Sequence, residues 1–164
     1  MIKITNKGFT MIELLIVIAI IGILAAGAIP NLLRARMSAQ EAGAIAACKT
    51  LVAAQTDYNN NSSPHSYAEN LGALGTGFLA GNVSFIDNNL SSGLRGGYRF
   101  SLVAGGFVIL PNEPFPAYTT WSATAWPVAY GSTGVRSFYI DETGVVRGSD
   151  IGGSTADLAL PVIE

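Results

Sequence analysis

The chain is poor in the residues from which most active sites are built. Its 164 residues include one cysteine, Cys48, and one histidine, His65. A single cysteine excludes an intrachain disulfide. No cysteine or acidic cluster accompanies His65, which therefore reads as an exposed loop residue and not as a metal ligand. Cys48 falls on the apolar side of a helical pattern and reads as a small buried hydrophobe. Neither G-x-S-x-G nor G-x-x-x-x-G-K occurs, so no nucleophile elbow or phosphate cradle is encoded. Asp141, Glu142, Asp150 and Asp157 offer oxygen atoms to a cation such as calcium, but their spacing matches no recognised loop and they read as turn and solvated acids. The expectation is no enzyme, no metal and no cofactor. Charge is scarce as well, at 12% of residues with a net of −2. Removal of residues 1–8 would take Lys3 and Lys7 and leave seven basic against eleven acidic side chains, a balance of −4. No basic stripe is available for nucleic acid or for recruitment to an anionic lipid surface.

What the chain has instead is one long apolar run. Residues 14–29 carry no charge and are interrupted only by Gly22 and Gly27 among their aliphatic neighbours. Counted over residues 9–33, a helix rising about 1.5 Å per residue crosses a bilayer core of roughly 30 Å. Glu13 stands near the start of this run. An ionised carboxylate in hydrocarbon costs a few kcal/mol and usually has a partner and a task. Lys7 lies six residues back, too far to pair well, and no cation follows before Arg34. A cut between Gly8 and Phe9 would create an α-amino group four residues before Glu13, able to meet the carboxylate of a neighbouring copy. Two other readings stay open. A secretory signal would use Lys3 and Lys7 as its charged region and Ala26, Gly27 and Ala28 as its cleavage site, although its apolar core would be overlong and hold an acid. A plain membrane anchor explains the apolar run and leaves Glu13 without a purpose.

The register of Lys7, Gly8, Phe9 and Glu13, followed by the aliphatic run, Pro30 and then Asn31, Leu32, Leu33, Arg34 and Ala35, resembles the type IV pilin family and its pseudopilin relatives. This covers about the first quarter of the chain. The resemblance implies that a prepilin peptidase cuts after Gly8, that the new terminal Phe9 is N-methylated, and that Glu13 guides subunits into a helical filament. It also implies an inner-membrane assembly platform as partner, and that the stretch from Gly22 to Pro30 can lose helicity in assembled pili. Independently, Pro30 lacks an amide hydrogen and crowds the carbonyl of Ala26, so a bend or local opening is expected there, with a harmless membrane-helix kink as the alternative.

The remaining chain supports this architecture. The leader is residues 1–8, the apolar helix 9–33, and the amphipathic half of the same helix 34–58. At 100° per residue, Ala44, Ile45, Ala47, Cys48, Leu51, Val52 and Tyr58 share one half of the helix, with Lys49, Thr50, Thr56 and Asp57 opposite. Asn59, Asn60, Asn61, Ser62, Ser63 and Pro64 end it. The head, residues 59–164, divides into a loop region at 59–96 with a small strand expected at 83–86, a sheet at 97–148 and a tail at 149–164. Tyr98, Phe100 and Leu102 alternate with Arg99 and Ser101, and Ala104, Gly105 and Gly106 are expected to turn the chain into a second strand at 107–110, closed by Pro111, Pro114 and Pro116. A further strand is expected at 118–130, edged at Pro127. The last hairpin is expected at 136–147, around Asp141, Glu142, Thr143 and Gly144. That hairpin also resembles the last one in a subgroup of bacterial pilins and secretion pseudopilins. The fold class is α+β: a long N-terminal helical spine packed on a C-terminal antiparallel sheet of about four strands.

The resemblance therefore implies a structural protein. Held by one membrane span in the bacterial inner membrane with its head outside, it polymerises with its own copies into an extracellular pilus used for adhesion or twitching motility. A type II secretion pseudopilin, a minor pilin, or a membrane-anchored or secreted binding protein are the alternatives.

Overall fold

The computed structural model describes residues 8–75, 83–111 and 116–163. The leader lysines Lys3 and Lys7, and Pro114, lie outside them. The architecture is α+β, with one long helix, α1 (Met11–Asn61), two short helices, α2 (Leu71–Gly75) and α3 (Asn88–Ser91), and five strands. The strands are β1 (Leu94–Arg95), β2 (Tyr98–Val108), β3 (Ala117–Pro127), β4 (Arg136–Asp141) and β5 (Arg147–Asp150). They form one sheet in sequence order, each pairing antiparallel with the next. Contacts divide the chain into two units, residues 1–36 and 37–164.

In the second unit, the helix half assigned from periodicity is the half that is covered. Ala44, Ala47, Cys48, Leu51, Ala54 and Tyr58 are buried, Ile45 and Val52 pack at the edge, and Lys49, Thr50, Thr56 and Asp57 are exposed. Tyr98, Phe100 and Leu102 of β2, Trp121, Ala123 and Ala125 of β3, and Phe138 and Ile140 of β4 complete the core. Period-two alternation produces this in β2 and β3, since successive side chains of a strand point to opposite faces. The small Ala123 and Ala125 stand beside Leu102 and Phe100 in the ladder and leave room for these larger neighbours.

Several boundaries differ from the sequence expectation. β2 does not turn at Ala104, Gly105 and Gly106 but continues to Val108, with Gly105 opposite Thr120 and Phe107 opposite Tyr118. The glycines serve close approach within the strand: Gly106 has φ +58°, and a Cβ there would run into the hydroxyl of Thr119. Such a kink inside a ladder is a usual place for glycine. Residues 83–86 form no strand. Asp87 instead caps α3 by accepting from the Leu90 amide at 2.8 Å. α1 runs three residues beyond Tyr58, where the Asn61 side chain donates to the Asp57 carbonyl at 2.7 Å. The last hairpin forms, with Gly144 at φ +73° in its turn and Asp141 accepting from the Thr143 amide at 3.0 Å, but β5 starts at Arg147. The tail is tied down by the Gly148 amide to the Pro161 carbonyl (2.9 Å) and the Ile163 amide to the Val146 carbonyl (3.0 Å).

Two polar side chains of α1 lie buried among these apolar groups. Gln55 donates to the Ala68 carbonyl (3.0 Å) and accepts from the Ala68 amide (2.8 Å), so it pairs a loop backbone as a strand would. Glu41 accepts from the amides of Val135 (2.9 Å) and Arg136 (3.2 Å) and from Arg136 Nε (2.8 Å). Burial pushes the Glu41 carboxyl up, but the donors on Val135 and Arg136 outweigh it and hold it below its ordinary value of 4.5. A depressed carboxylate stabilises the fold above its unfolded value and loses that contribution as pH falls through the folded one. Glu41→Gln is therefore expected to cost about 2 kcal/mol at neutral pH. It should also flatten the loss of stability below about pH 4.5, measured by denaturant unfolding of the full chain in detergent with tryptophan fluorescence. Parent and variant curves with equal acid limbs would assign that loss to other groups.

Candidate functional site

The N-terminal helix starts where local chemistry permits. Thr10, the residue before α1, accepts from the Glu13 amide through Oγ1 at 3.3 Å, while Glu13 Oε2 accepts from the Thr10 amide (2.9 Å) and the Thr10 hydroxyl (2.8 Å). This reciprocal arrangement is a capping box, which satisfies donors that a helix start leaves without partners. Glu13 thus has a neutral hydrogen-bonding partner, contrary to the expectation that nothing nearby could pair with it. The T-x-x-E spacing before an apolar run was the available signal. Both side-chain bonds fall on Oε2, and no hydrogen bond reaches Oε1 among the described residues.

Gly8 and Phe9 precede the helix in irregular, exposed backbone, with the Phe9 side chain 88% exposed. Beyond them, Met11, Ile12, Leu14, Leu15, Ile16, Val17, Ile18 and Ile20 are all exposed in the single chain. By length and composition, α1 is long and apolar enough to cross a membrane. Consecutive positions step around the axis, so over residues 14–29 the helix is apolar on every side and requires cover by lipid or by other helices. A Cβ at Gly22 or Gly27 would meet nothing within 4 Å. α1 stays helical through Gly22 and Pro30, and the Asn31 side chain donates to the Gly27 carbonyl at 3.4 Å.

The residues weighed for chemistry are dispersed and locally occupied. Cys48 is fully buried, and burial pushes its thiol up to about 12. His65 is in exposed loop, with Nδ1 2.8 Å from the Asn59 carbonyl. Asp141 holds Thr143, Asp150 accepts from the Tyr130 hydroxyl at 2.9 Å, and Asp157 accepts from the Ala159 amide at 3.0 Å. Among the described residues, no group of three or more His, Cys, Asp or Glu side chains is placed to hold a metal.

Comparison with known proteins gives two family matches and two relatives. A family model described as the prokaryotic N-terminal methylation motif matches residues 4–29, and one described as a protein of unknown function (DUF2950) matches residues 117–163. The chain is 38% identical over 100 residues to the type IV major pilin protein PilA of Myxococcus xanthus, covering 61% of this chain and 39% of that one. It is 49% identical over 80 residues to the type IV wide pilus major component PilA4 of Thermus thermophilus, covering 48% of this chain and 61% of that one. The matched regions span less than two thirds of either relative. No solved structure gives a significant match. The motif and these two proteins support a type IV pilin family.

Because a thiolate is the reactive form, a buried Cys48 with a raised pKa should resist labelling. Folded chain at pH 8 is expected to incorporate maleimide at less than about a tenth of the rate seen in denaturant, read by intact mass. Comparable rates would show that the thiol is open to solvent.

Proposed function

We propose that this chain is the structural subunit of a type IV pilus, matured between Gly8 and Phe9 and polymerised through its apolar helix. The observation that carries the reading is the pairing of a helix apolar on every side with one acid, Glu13, at its start, next to an exposed Gly8-Phe9 peptide. A prepilin peptidase would hydrolyse that bond by adding water, leaving a carboxylate on Gly8 and a free amine on Phe9, which is then N-methylated. An exposed, non-helical peptide suits such a cut, because the bond is not engaged in helical hydrogen bonding.

The subunit rests first in the inner membrane with its head outside, Lys3 and Lys7 favouring a cytoplasmic leader. An inner-membrane assembly platform then lifts it into an extracellular filament of identical copies. In that filament the helices over residues 9–33 bury one another, and the Phe9 amine of one copy neutralises Glu13 of the next. Oε2 is already committed to Thr10, which leaves Oε1 for the incoming ammonium. A charge-assisted hydrogen bond of this kind offsets the few kcal/mol that an unpaired acid costs in an apolar core, and it fixes the axial register between copies. Opening of the helix between Gly22 and Pro30 on assembly belongs to the same reading. A missing amide hydrogen at Pro30 weakens the ladder there, and glycine lowers the cost of leaving it. Both relatives are major pilus components by name, which favours a pilus over a secretion pseudopilus.

In the producing bacterium, Glu13→Ala is expected to leave a membrane-held monomer of normal amount and to reduce surface fibres at least about tenfold, since a hydrogen bond to a charged group contributes about 1.5–3 kcal/mol and about 1.4 kcal/mol is a factor of ten. Normal fibre yield, counted in electron micrographs, would show that the acid is incidental. Gly8→Leu should leave the leader attached, so that intact mass spectrometry finds residues 1–8 still present. A mature mass beginning at Phe9 in that variant would move the cleavage site elsewhere.

A further inference from the structure

The apolar segment of the first unit is bounded by charge at both ends. Glu13 and Arg34 are 21 residues apart with no ionisable side chain between them. At about 1.5 Å per residue this is about 32 Å, close to the roughly 30 Å of a bilayer's hydrocarbon core. Arg34 and Arg36 are exposed. The ion pairs among the described residues are Arg95 with Asp87 and Arg136 with Glu41, and neither includes them. Two helical positions apart, the two arginines lie about 200° from one another around the axis. One neighbour on one face cannot take both, whereas a surrounding layer of anions can.

Resting on the membrane-held stage of the proposed function, we propose that Arg34 and Arg36 bind the phosphates of phospholipid headgroups in the leaflet facing the head. Together with Glu13 they set the depth of the helix. Guanidinium groups grip phosphate oxygens bidentately, and the long arginine stems allow the heads to reach the interface while the helix axis stays in hydrocarbon. At the opposite boundary the capping box keeps Glu13 hydrogen-bonded at the level of the other headgroup layer. In the membrane-held chain the carboxylate is therefore interfacial, and its need for a cation arises when the helix is lifted out. Two arginines would recruit a soluble protein to a membrane only weakly. Here the helix is already inserted, and they act on its vertical position.

The test uses full-length chain, labelled with 13C at arginine Cζ, in vesicles of phosphatidylethanolamine and phosphatidylglycerol, with 13C–31P dipolar recoupling. Arg34 and Arg36 are two of six arginines, so about a third of the arginine signal should be dephased by lipid phosphorus. That component should vanish in an Arg34→Gln/Arg36→Gln variant shown by circular dichroism to keep its helix content. Absence of dephasing in the parent, equal dephasing in the variant, or guanidinium contacts to carboxylate carbons of another copy in place of phosphorus would each overturn the proposal. Vesicles contain no filaments, so this result is independent of whether the chain polymerises.

Discussion

Leu14, Leu15, Ile16, Val17 and Ile18, each about 100° on from the last, present exposed side chains around the whole circumference of one helix. Such a surface is stable only where something apolar surrounds it, and in the first unit the chain itself supplies no cover. Lipid can provide it, and so can identical helices, because helices lined by small and aliphatic residues approach closely in either setting. The composition follows from this constraint. Charge is withheld from the apolar stretch and placed at its ends, and the single acid at the start is tied to Thr10 so that its carboxylate is never without a donor.

The second unit solves a different problem with the same helix. Fewer than 130 residues must enclose a core, and the sheet does so with large residues on β2 and β4 and alanines on β3 between them. Aromatic rings are placed to fill the remaining space. Tyr98 lies 5.7 Å from Phe138 between ring centres, and its hydroxyl donates to the Arg136 carbonyl at 2.9 Å, so a polar group at the centre of the core is satisfied. Burial, followed by the nearby Glu41 carboxylate, pushes that hydroxyl's pKa upward.

Periodicity and one motif made the helix, its covered half, the alternation in β2 and the final turn at Gly144 legible from residue order. These are local properties, set by 3.6- and two-residue repeats and by turn chemistry. Features that depend on distant partners were not legible. Gly105 and Gly106 read as a turn because nothing in their own neighbourhood announces that Thr119 and Thr120 will lie against them. Residues 83–86 read as a strand because the capping role of Asp87 competes with β propensity only once α3 forms. Nothing local marks Glu41 and Gln55 as buried anchors, since their partners lie 94 and 13 residues away. Thr10 is the exception: its spacing to Glu13 is a local signal for a capping box.

Glu41 and Gln55 are 14 positions apart on α1, about 21 Å along its axis. Apolar contacts between a helix and a sheet are non-directional and resist sliding weakly, whereas each of these side chains is tied to a particular backbone amide of the head. Glu41 ties the helix to the start of β4 and Gln55 ties it to the loop at Ala68, so sliding of the helix within this unit would break several hydrogen bonds at once. A tether of that kind fixes the register of this half of the helix against the backbone packed on it, which apolar contact alone would leave free to slip by a turn.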